Sequence, residues 1–545
     1  MISSTIKIFV DENEFDFIRD APVPGSAFVL NSETSVSRLK AHFFETLSEL
    51  GEVIKFSRAD AVRGGELARA IDSPDALVAA FHESPPELAC RLLQHTKGGL
   101  MLPGGFLDGW AQRSSTVLLV TSQHQAQRLT TAFASSTIQV FPFYPRVDKE
   151  YLESGDVSTS DNEDDWHADL LYAGRWIANK GVSQVVRALD HWRCDVNSLH
   201  LIGGYEKGFP ISQSAGDHSI YPDFYNRETL MRCDSLQIKS EPPLPARLLA
   251  SRFRRTHILV YPSFHEDENY GLVPREAACC GAIPIVTDFC GLGEFGRNSS
   301  CGIVRTWPTL GGVRYSLRDF SVELQRLVSQ SPGQRNAARV KNQHLVQSEC
   351  SGVNSLKQMT AAIRTLMESP SEPPPQGGWR CSARIENLAS TGPPTFREAL
   401  SRRSDCSYSG IYVDGTGYHN ERYSEPHFLQ AIQSLYTTWP QPPRLRPGVI
   451  LHGFWRVGLW SDERALVEFG FPGPRVLRFS EADWKVVQAS ARSLGKRDFA
   501  FEISNLRAAE VLQSAVDLGY LVPHDPMTCD LPEPNDTIPN IRQLL

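Results

Sequence analysis

The sequence has no long hydrophobic run. Across 545 residues no window approaches the ~18 apolar side chains that a membrane-spanning helix requires. The opening stretch, Met1-Ile-Ser-Ser-Thr-Ile-Lys-Ile-Phe-Val-Asp11, has neither a basic leader nor a long apolar core behind it, so no secretory signal is expected. Positive charge is not in excess. The 55 Lys and Arg stand against 63 Asp and Glu, a formal net charge of −8, which argues against nucleic acid as a partner, because that would call for a basic face. The local cluster Arg252-Phe-Arg254-Arg255 reads as a solvated helix end. None of the eleven cysteines forms a Cys-x-x-Cys pair. Their odd number and scatter fit reduced thiols in a cytoplasmic chain rather than a disulfide framework. The adjacent Cys279 and Cys280 read as small side chains filling a packed helix. A convincing Asp-x-Asp pair for a divalent metal is also missing.

What is present is alternation. Hydrophobic residues make up 41% and charged residues 22%, the balance of an ordinary globular protein. The length exceeds what one core can serve, so two to four domains are expected. In residues 1–155, Ala27–Leu30, Glu52–Phe56, Asp75–Phe81 and Thr116–Thr121 read as strands. Leu39, Phe43, Leu47 and Leu50 form the apolar stripe of an amphipathic helix. The polar acidic run Ser154–Asp165 reads as a loop or linker. A second alternating unit spans 165–330, with strands expected at Asp169–Ala173, Ser198–Ile202, Ser235–Lys239, His257–Tyr261 and Ile283–Thr287. Such alternation indicates two parallel sheets covered by helices. Helices of mixed charge follow over 331–368, then a proline-rich linker over 369–378. Beyond it, residues 379–545 are dense in aromatics and read as a separate α+β or mostly β accessory domain.

Two motifs carry chemistry. In Tyr172-Ala-Gly174-Arg175-Trp-Ile-Ala-Asn-Lys180-Gly181, two cations lie five positions apart, in a loop expected after a strand ending at Ala173. They can neutralise a diphosphate and stabilise charge on a departing group, and Gly174 would let the backbone approach a ligand. In Tyr261-Pro-Ser-Phe-His-Glu-Asp-Glu268-Asn-Tyr-Gly271-Leu-Val-Pro-Arg-Glu276, two carboxylates are separated by seven residues around a glycine. Glu276, on a helix, is placed to accept hydrogen bonds from a ribose diol. Glu268, in the preceding loop, can reach sugar hydroxyls. Gly271 and Leu272 offer amides at a helix N-terminus, a position that favours phosphate. Together the motifs read as two halves of a nucleotide-sugar site. Each also has a plainer account as an exposed strand-end loop with incidental charges.

With Leu201-Ile-Gly203-Gly204 and the string Ile285-Val-Thr-Asp-Phe-Cys-Gly291-Leu-Gly293-Glu294, these motifs over residues 165–305 resemble the family-four retaining glycosyltransferases. The resemblance implies an α/β GT-B fold of two facing Rossmann-like domains, with acceptor bound by residues 1–155 and donor by 165–330. It implies that Arg175 and Lys180 bind the diphosphate, Glu276 the ribose and Glu268 the transferred sugar. Gly174, Gly203, Asn269 and Tyr270 would complete the donor contacts with the amides of Gly271, Leu272 and Val273. It implies retention of anomeric configuration by front-face attack, with the departing phosphate as base, no bound metal and no cofactor beyond the donor. The acceptor would be a glycan, a lipid-linked glycan or a small molecule, a lipid-linked one bringing the chain to the inner membrane surface. His82, in Phe81-His-Glu83, stands where members often carry a histidine facing the sugar, although a lone histidine is more often structural. The family's glycine-rich loop near the first strand is not evident, with Asn31–Thr34 in its place.

Two alternatives remain open at this stage. One is a nucleotide-sugar epimerase or sugar phosphorylase of the same fold. The other is a non-catalytic glycan-binding protein retaining a degenerate transferase domain. In Leu451-His-Gly-Phe-Trp455-Arg-Val-Gly-Leu-Trp460, Trp455 and Trp460 could stack on sugar rings, against the commoner role of aromatics packed in a core.

Overall fold

In a computed structural model of the chain, the described residues are 6–11, 35–56, 76–81, 98–102, 116–123, 126, 139–152, 168–175, 180–191, 196–204, 237–264, 268, 270–309, 312–368, 406–407, 443–469, 474–494, 498–525 and 529. The expected strand at Ala27–Leu30, the acidic run at 154–165 and the proline-rich stretch at 369–378 lie outside them, as do His82, Gly104, Gly105 and Asn269.

The first lobe begins with β1 (Lys7–Asp11), α1 (Ser35–Ser48), β2 (Glu52–Phe56), β3 (Ala76–Phe81), β4 (Gly98–Leu102), β5 (Thr116–Val120) and β6 (Gln139–Pro142). The six strands form one parallel sheet in the order β2-β1-β3-β4-β5-β6. The stripe read on α1 is buried as expected, with Phe43 and Leu47 in the core beside Phe44. The first strand is β1, and residues 12–34 that follow it lie outside the described set. The comparison of Asn31–Thr34 with a family loop therefore has no structural counterpart here.

A short helix, α2 (Lys149–Leu152), leads to the second lobe. There β7 (Ala168–Arg175), α3 (Val182–His191), β8 (Val196–Gly204), β9 (Gln237–Glu241), α4 (Ala246–Arg254), β10 (Ile258–Tyr261), α5 (Leu272–Cys279), β11 (Ile283–Thr287), α6 (Cys290–Asn298) and β12 (Gly302–Val304) follow in turn. The sheet is parallel with order β12-β11-β10-β7-β8-β9. The chain runs outward to one edge from β7 and then to the other from β10. Strand order thus reverses between β7 and β10, and ligands of open α/β sheets bind at the carboxyl ends of the strands at such a point. The basic cluster at the end of α4 is partly structural, since Arg252 pairs with Glu241 at 2.7 Å and Arg254 donates to the Glu150 carbonyl.

A hairpin of β13 (Thr306–Thr309) and β14 (Gly312–Tyr315) precedes α7 (Leu317–Val328), α8 (Pro332–Glu349) and α9 (Gly352–Glu368). Ser331 and Gln334 form a capping box at the start of α8, where Pro332 occupies a first-turn position that needs no donor. Helix α9 returns to the first lobe and places Met359, Ala362, Ile363 and Leu366 in its core. The first lobe is thus closed by residues more than two hundred positions from its last strand.

The C-terminal region is α+β. Described there are β15 (Cys406–Ser407), β16 (Ile450–Gly453), β17 (Arg456–Trp460), β18 (Ala465–Phe469), β19 (Pro474–Arg478), α10 (Glu481–Ser490), β20 (Ala491–Leu494), β21 (Asp498–Glu502), α11 (Leu506–Asp517) and β22 (Leu521–Pro523). Two antiparallel sheets, β15-β19-β18-β17 and β20-β21-β16-β22, share a core with the two helices. The two helices, α10 and α11, decide for α+β over the mostly β alternative. Among the described residues no helix is long and apolar enough to cross a membrane.

This unit is joined to the second lobe by Ser316 donating to the His524 carbonyl at 2.7 Å and by Arg318 pairing with Asp525 at 3.1 Å. Beside that pair, burial and the Asp525 charge raise the Asp319 carboxyl from 3.8 to about 7, against the pull of Arg305 and Arg318. Between those values the folded chain keeps a proton that the unfolded chain has released, so this group's contribution to stability falls as pH rises through that window. Wild type should therefore lose melting temperature between pH 5 and 7.5 relative to Asp319→Asn, measured by thermal denaturation in matched buffers. Parallel profiles for the two proteins would show that Asp319 is not so perturbed.

Candidate functional site

Strand β7 extends beyond Ala173, so Gly174 and Arg175 are its last two residues and not part of the following loop. Gly174 pairs with Gly203 and Arg175 with Gly204 across to β8. The two paired glycines, with φ of 151° and 144°, leave one rung near the carboxyl ends of the strands without side chains. Lys180 stands just before α3, and Gly181 after it has a φ of 79°. A Cβ on Gly181 would lie 2.5 Å from the Pro262 carbonyl oxygen. The turn needs glycine both for its backbone angle and for its contact with the end of β10.

That contact brings the two motifs together. Lys180 is buried and pairs with the buried Glu268. The same carboxylate oxygen, Oε1, accepts from the Tyr261 hydroxyl at 2.8 Å and from Ser263 Oγ at 3.1 Å. The Glu268 main-chain carbonyl accepts from the Gly291 amide at 3.0 Å, which ties this loop to α6. Tyr261 is the last residue of β10. Its ring stacks on Tyr172 with centroids 6.1 Å apart, and Lys180 Nζ lies 5.9 Å from its centroid. Burial raises the Tyr261 hydroxyl well above its ordinary value, the Arg175 charge pulling it back and that of Glu276 adding to the rise. Lys180 and Glu268 therefore meet at this tyrosine, and the charges of Arg175 and Glu276 are near enough to be felt there. Tyr172 completes the group by donating to the Arg175 carbonyl at 2.9 Å.

Gly271 is the N-cap of α5, in the left-handed region at φ 70°, and a Cβ there would lie 2.4 Å from the Leu292 side chain. Leu272 and Val273 form the first turn, their side chains in the core and their amides at the helix N-terminus. No acidic residue stands in that turn, so no carboxylate of its own offsets the partial positive charge there. Glu276, on the next turn, is 1% exposed. Gly291 and Gly293 lie within the first turn of α6. Cys290 carries the positive φ, 48°, that starts it. Cys279 and Cys280 are buried as small packing residues.

Tyr270 has a different place from the one expected of a donor contact. Its hydroxyl bonds to Cys350 Sγ at 2.7 Å and donates to the Pro145 carbonyl, and its ring stacks on Tyr144 from the first lobe at 6.0 Å. The Arg275 guanidinium covers its other surroundings, 4.0 Å from the ring centroid, and donates to its carbonyl. Tyr270 is thus part of the packing between the lobes. Tyr144 also donates to Glu294 Oε1 at 3.1 Å across the same junction. His82 follows directly on β3, and it and Asn269 lie outside the described residues. Trp455 is buried, packed against Phe264 and Phe454, whereas Trp460 is 46% exposed. Among the described residues no three His, Cys, Asp or Glu side chains are grouped to hold a metal ion.

Residues 159–306 match the family model described as Glycosyl transferases group 1. Over that segment, about a quarter of its length, the chain is similar to the group 1 glycosyltransferases. The segment holds β7 to β12 and every site residue just described in the second lobe. Among curated proteins none matches the chain. Solved structures with a similar course include a glycosyltransferase from Rickettsia africae (13% identity, TM-score 0.46, 67% of this chain and 100% of that one). Others are a sucrose-phosphate synthase from Thermosynechococcus elongatus (14%, 0.47, 66% and 99%) and an Anabaena protein in complex with UDP and glucose (13%, 0.43, 66% and 100%). At scores this low they add nothing to the GT-B arrangement that the two facing parallel sheets and the returning helix α9 establish.

Tyr261 and Ser263 were missed as site residues because, in sequence, they look like the end of an apolar strand. The available signal was position: a strand's carboxyl end, directly ahead of a loop with two acids. The buried Lys180–Glu268 pair has an energetic consequence. Removing either partner leaves a buried charge unpaired, which costs about 3–5 kcal/mol. Lys180→Met and Glu268→Gln should each destabilise the second lobe by that order in denaturant unfolding. The double variant should cost clearly less than their sum. Additive losses would show that the two charges do not interact.

Proposed function

We propose that this chain is a retaining glycosyltransferase that moves a sugar from a nucleoside diphosphate sugar to a glycan, a lipid-linked glycan or a small-molecule acceptor. The observation that carries it is the buried Lys180–Glu268 pair held by Tyr261 and Ser263, with Arg175 at the end of the neighbouring strand and Glu276 buried on the helix that follows, at the switch point of a parallel sheet in the segment similar to group 1 glycosyltransferases. Two of the solved structures similar in course are described with UDP and glucose and with UDP-2-fluoro glucose, which names the class of donor to try first.

The diphosphate would lie between Arg175, Lys180 and the amides of Gly271, Leu272 and Val273. An ammonium group has three protons to give, so Lys180 can keep Glu268 and still donate to a phosphate oxygen. As the bond from sugar to phosphate lengthens, negative charge grows on the leaving oxygen. Fixed cations and amides stabilise it there without having to reorient, so they lower the barrier more than they tighten ground-state binding. Glu268 is held at Oε1 by three donors, which orients Oε2 toward the sugar hydroxyls. Glu276 would accept from the ribose diol. The departing phosphate takes the acceptor's proton, and the acceptor oxygen attacks the same face of the sugar, which retains configuration. With two cations in these places the diphosphate needs no metal. The first lobe, with His82 after β3, would supply the acceptor side.

Arg175→Ala and Glu268→Gln should lower kcat by about 10²-fold or more while the folded lobe persists, measured by steady-state transfer from UDP-, GDP- and ADP-sugars. Wild-type turnover in either variant would remove that residue from the mechanism. A transfer product of inverted configuration would contradict the retaining mechanism, and donor converted without transfer to an acceptor would favour an epimerase or phosphorylase. Activity should survive EDTA, and loss restored by Mn²⁺ or Mg²⁺ would contradict the metal-free mechanism.

A further inference from the structure

The C-terminal unit meets the second lobe at the elements that carry the ion pair. Between β16 and β17 the chain turns through Phe454 and Trp455, both buried. The Phe454 ring meets Phe264 edge-on at 5.3 Å, and Trp455 meets the same ring at 6.2 Å. Phe264 directly follows Ser263, which donates to Glu268. On the opposite flank, Arg187 of α3 donates to the Phe454 carbonyl at 2.7 Å, and α3 starts two residues after Lys180. One two-residue turn from a unit with its own core therefore touches both the segment that presents Glu268 and the helix that follows Lys180.

The turn is itself clamped. Phe454 packs edge-on against Tyr315 at 5.1 Å, and the Arg314 guanidinium lies 4.7 Å from its ring centroid. Arg314 Nε donates to the Gly519 carbonyl at 2.8 Å. Gly519 has a φ of 75°, and a Cβ on it would lie 2.2 Å from Thr309 Oγ1. Phe454, Trp455 and Val522 belong to the second lobe's core cluster and not to that of their own unit. Pro262, Ser263 and Phe264 belong to no helix or strand, so nothing in the backbone ladder fixes them. They are held by the Thr287 hydroxyl, which donates to the Ser263 carbonyl, by the close approach of Gly181 to Pro262 and by the packing of the Phe264 ring.

We propose that Phe454 and Trp455 are positioning residues of the transfer site: they hold the Phe264 ring, and through it the segment that aims Ser263 and Glu268 at Lys180. The C-terminal unit then completes the donor site from behind and is not an independent appendage. This rests on the transferase assignment for its kinetic consequence, but not for its structural one. A segment released from such packing opens locally at a fraction of the global unfolding cost, and a displacement of about 1 Å at a reacting group can cost on the order of 10²-fold in rate.

The test compares wild type with Phe454→Ala, Trp455→Ala, Trp455→Phe and Arg187→Met, using the full chain. Leu506→Ala, at an exposed position on α11, serves as control. Two quantities are read: amide hydrogen exchange in peptides spanning 258–276, and kcat and KM for the nucleotide sugar. Both alanine variants should speed exchange across 262–271 by about tenfold or more while β21 and α11 keep their protection. Their kcat should fall by about tenfold or more, with donor KM changing much less. Trp455→Phe should recover most of both effects, Arg187→Met should show a weaker version, and Leu506→Ala should match wild type. Wild-type exchange over 262–271 in an alanine variant whose C-terminal unit stays folded would overturn the proposal, as would loss of protection spread evenly over both units. If the alanine variants unfold the C-terminal unit, Arg187→Met decides, because it removes the bond to the Phe454 carbonyl and leaves both aromatic rings in place; unchanged exchange there overturns the proposal. A wild-type chain with no transfer activity would sink the function while leaving the exchange result to judge the coupling.

Discussion

Two opposite charges have been taken out of water at the point where the second sheet reverses its strand order. Burying Lys180 and Glu268 is tolerable only if they meet and if further donors satisfy the carboxylate. Tyr261 and Ser263 do so on the same oxygen. Much of the local structure serves that meeting. Gly181 lets the turn before α3 press against Pro262, and the Gly291 amide ties the main chain of Glu268 to α6. The stacked Tyr172 and Tyr261 rings bridge β7 and β10 below it. A structural ion pair alone would not also call for Arg175, a buried Glu276 and an acid-free helix N-terminus in the same place. A site for a charged two-ended ligand calls for all of them.

The two lobes communicate through a second polar-aromatic junction. Tyr144 stacks on Tyr270 and donates to Glu294. Its own backbone is gripped by α9, with its amide donating to Gln358 and its carbonyl accepting from Ser355 Oγ. The closing helix thus does more than fill the first lobe's core. It fixes the strand-to-helix crossover against the loop that leads into α5. A change in the angle between the lobes would reach Gly271 and the first turn of α5 through Tyr270 and Arg275, which are packed on each other. This is a physical route between the first lobe and the N-terminus of α5.

The second lobe was legible because its site is local. Arg175 and Lys180 fall within six residues, Glu268 and Glu276 within nine, and each follows an apolar strand that announces itself. The same logic explains what was not legible. Strand β1, Lys7–Asp11, is a short run at the start of the chain with no helix pattern behind it, yet it occupies an interior position in its sheet. Tyr270 looks like a ligand contact from its place between Glu268 and Gly271. Only the fold reveals that Tyr144, Pro145 and Cys350 reach it first. Trp455 could have stacked on sugar or in a core, and Phe264, nearly two hundred residues away in sequence, decides for packing. Spacing encodes what one loop can do, but not what a distant element will cover.

The account stands on a phosphate-binding pocket formed by β7, the turn before α3 and the N-terminus of α5. The most direct measurement is a crystal structure of the chain with a bound nucleoside diphosphate. The account predicts diphosphate density within hydrogen-bonding reach of Arg175, Lys180 and the Gly271–Val273 amides, with the ribose against Glu276. A nucleotide bound well ordered elsewhere, with Lys180 and Glu268 untouched beneath an inaccessible surface, would contradict it.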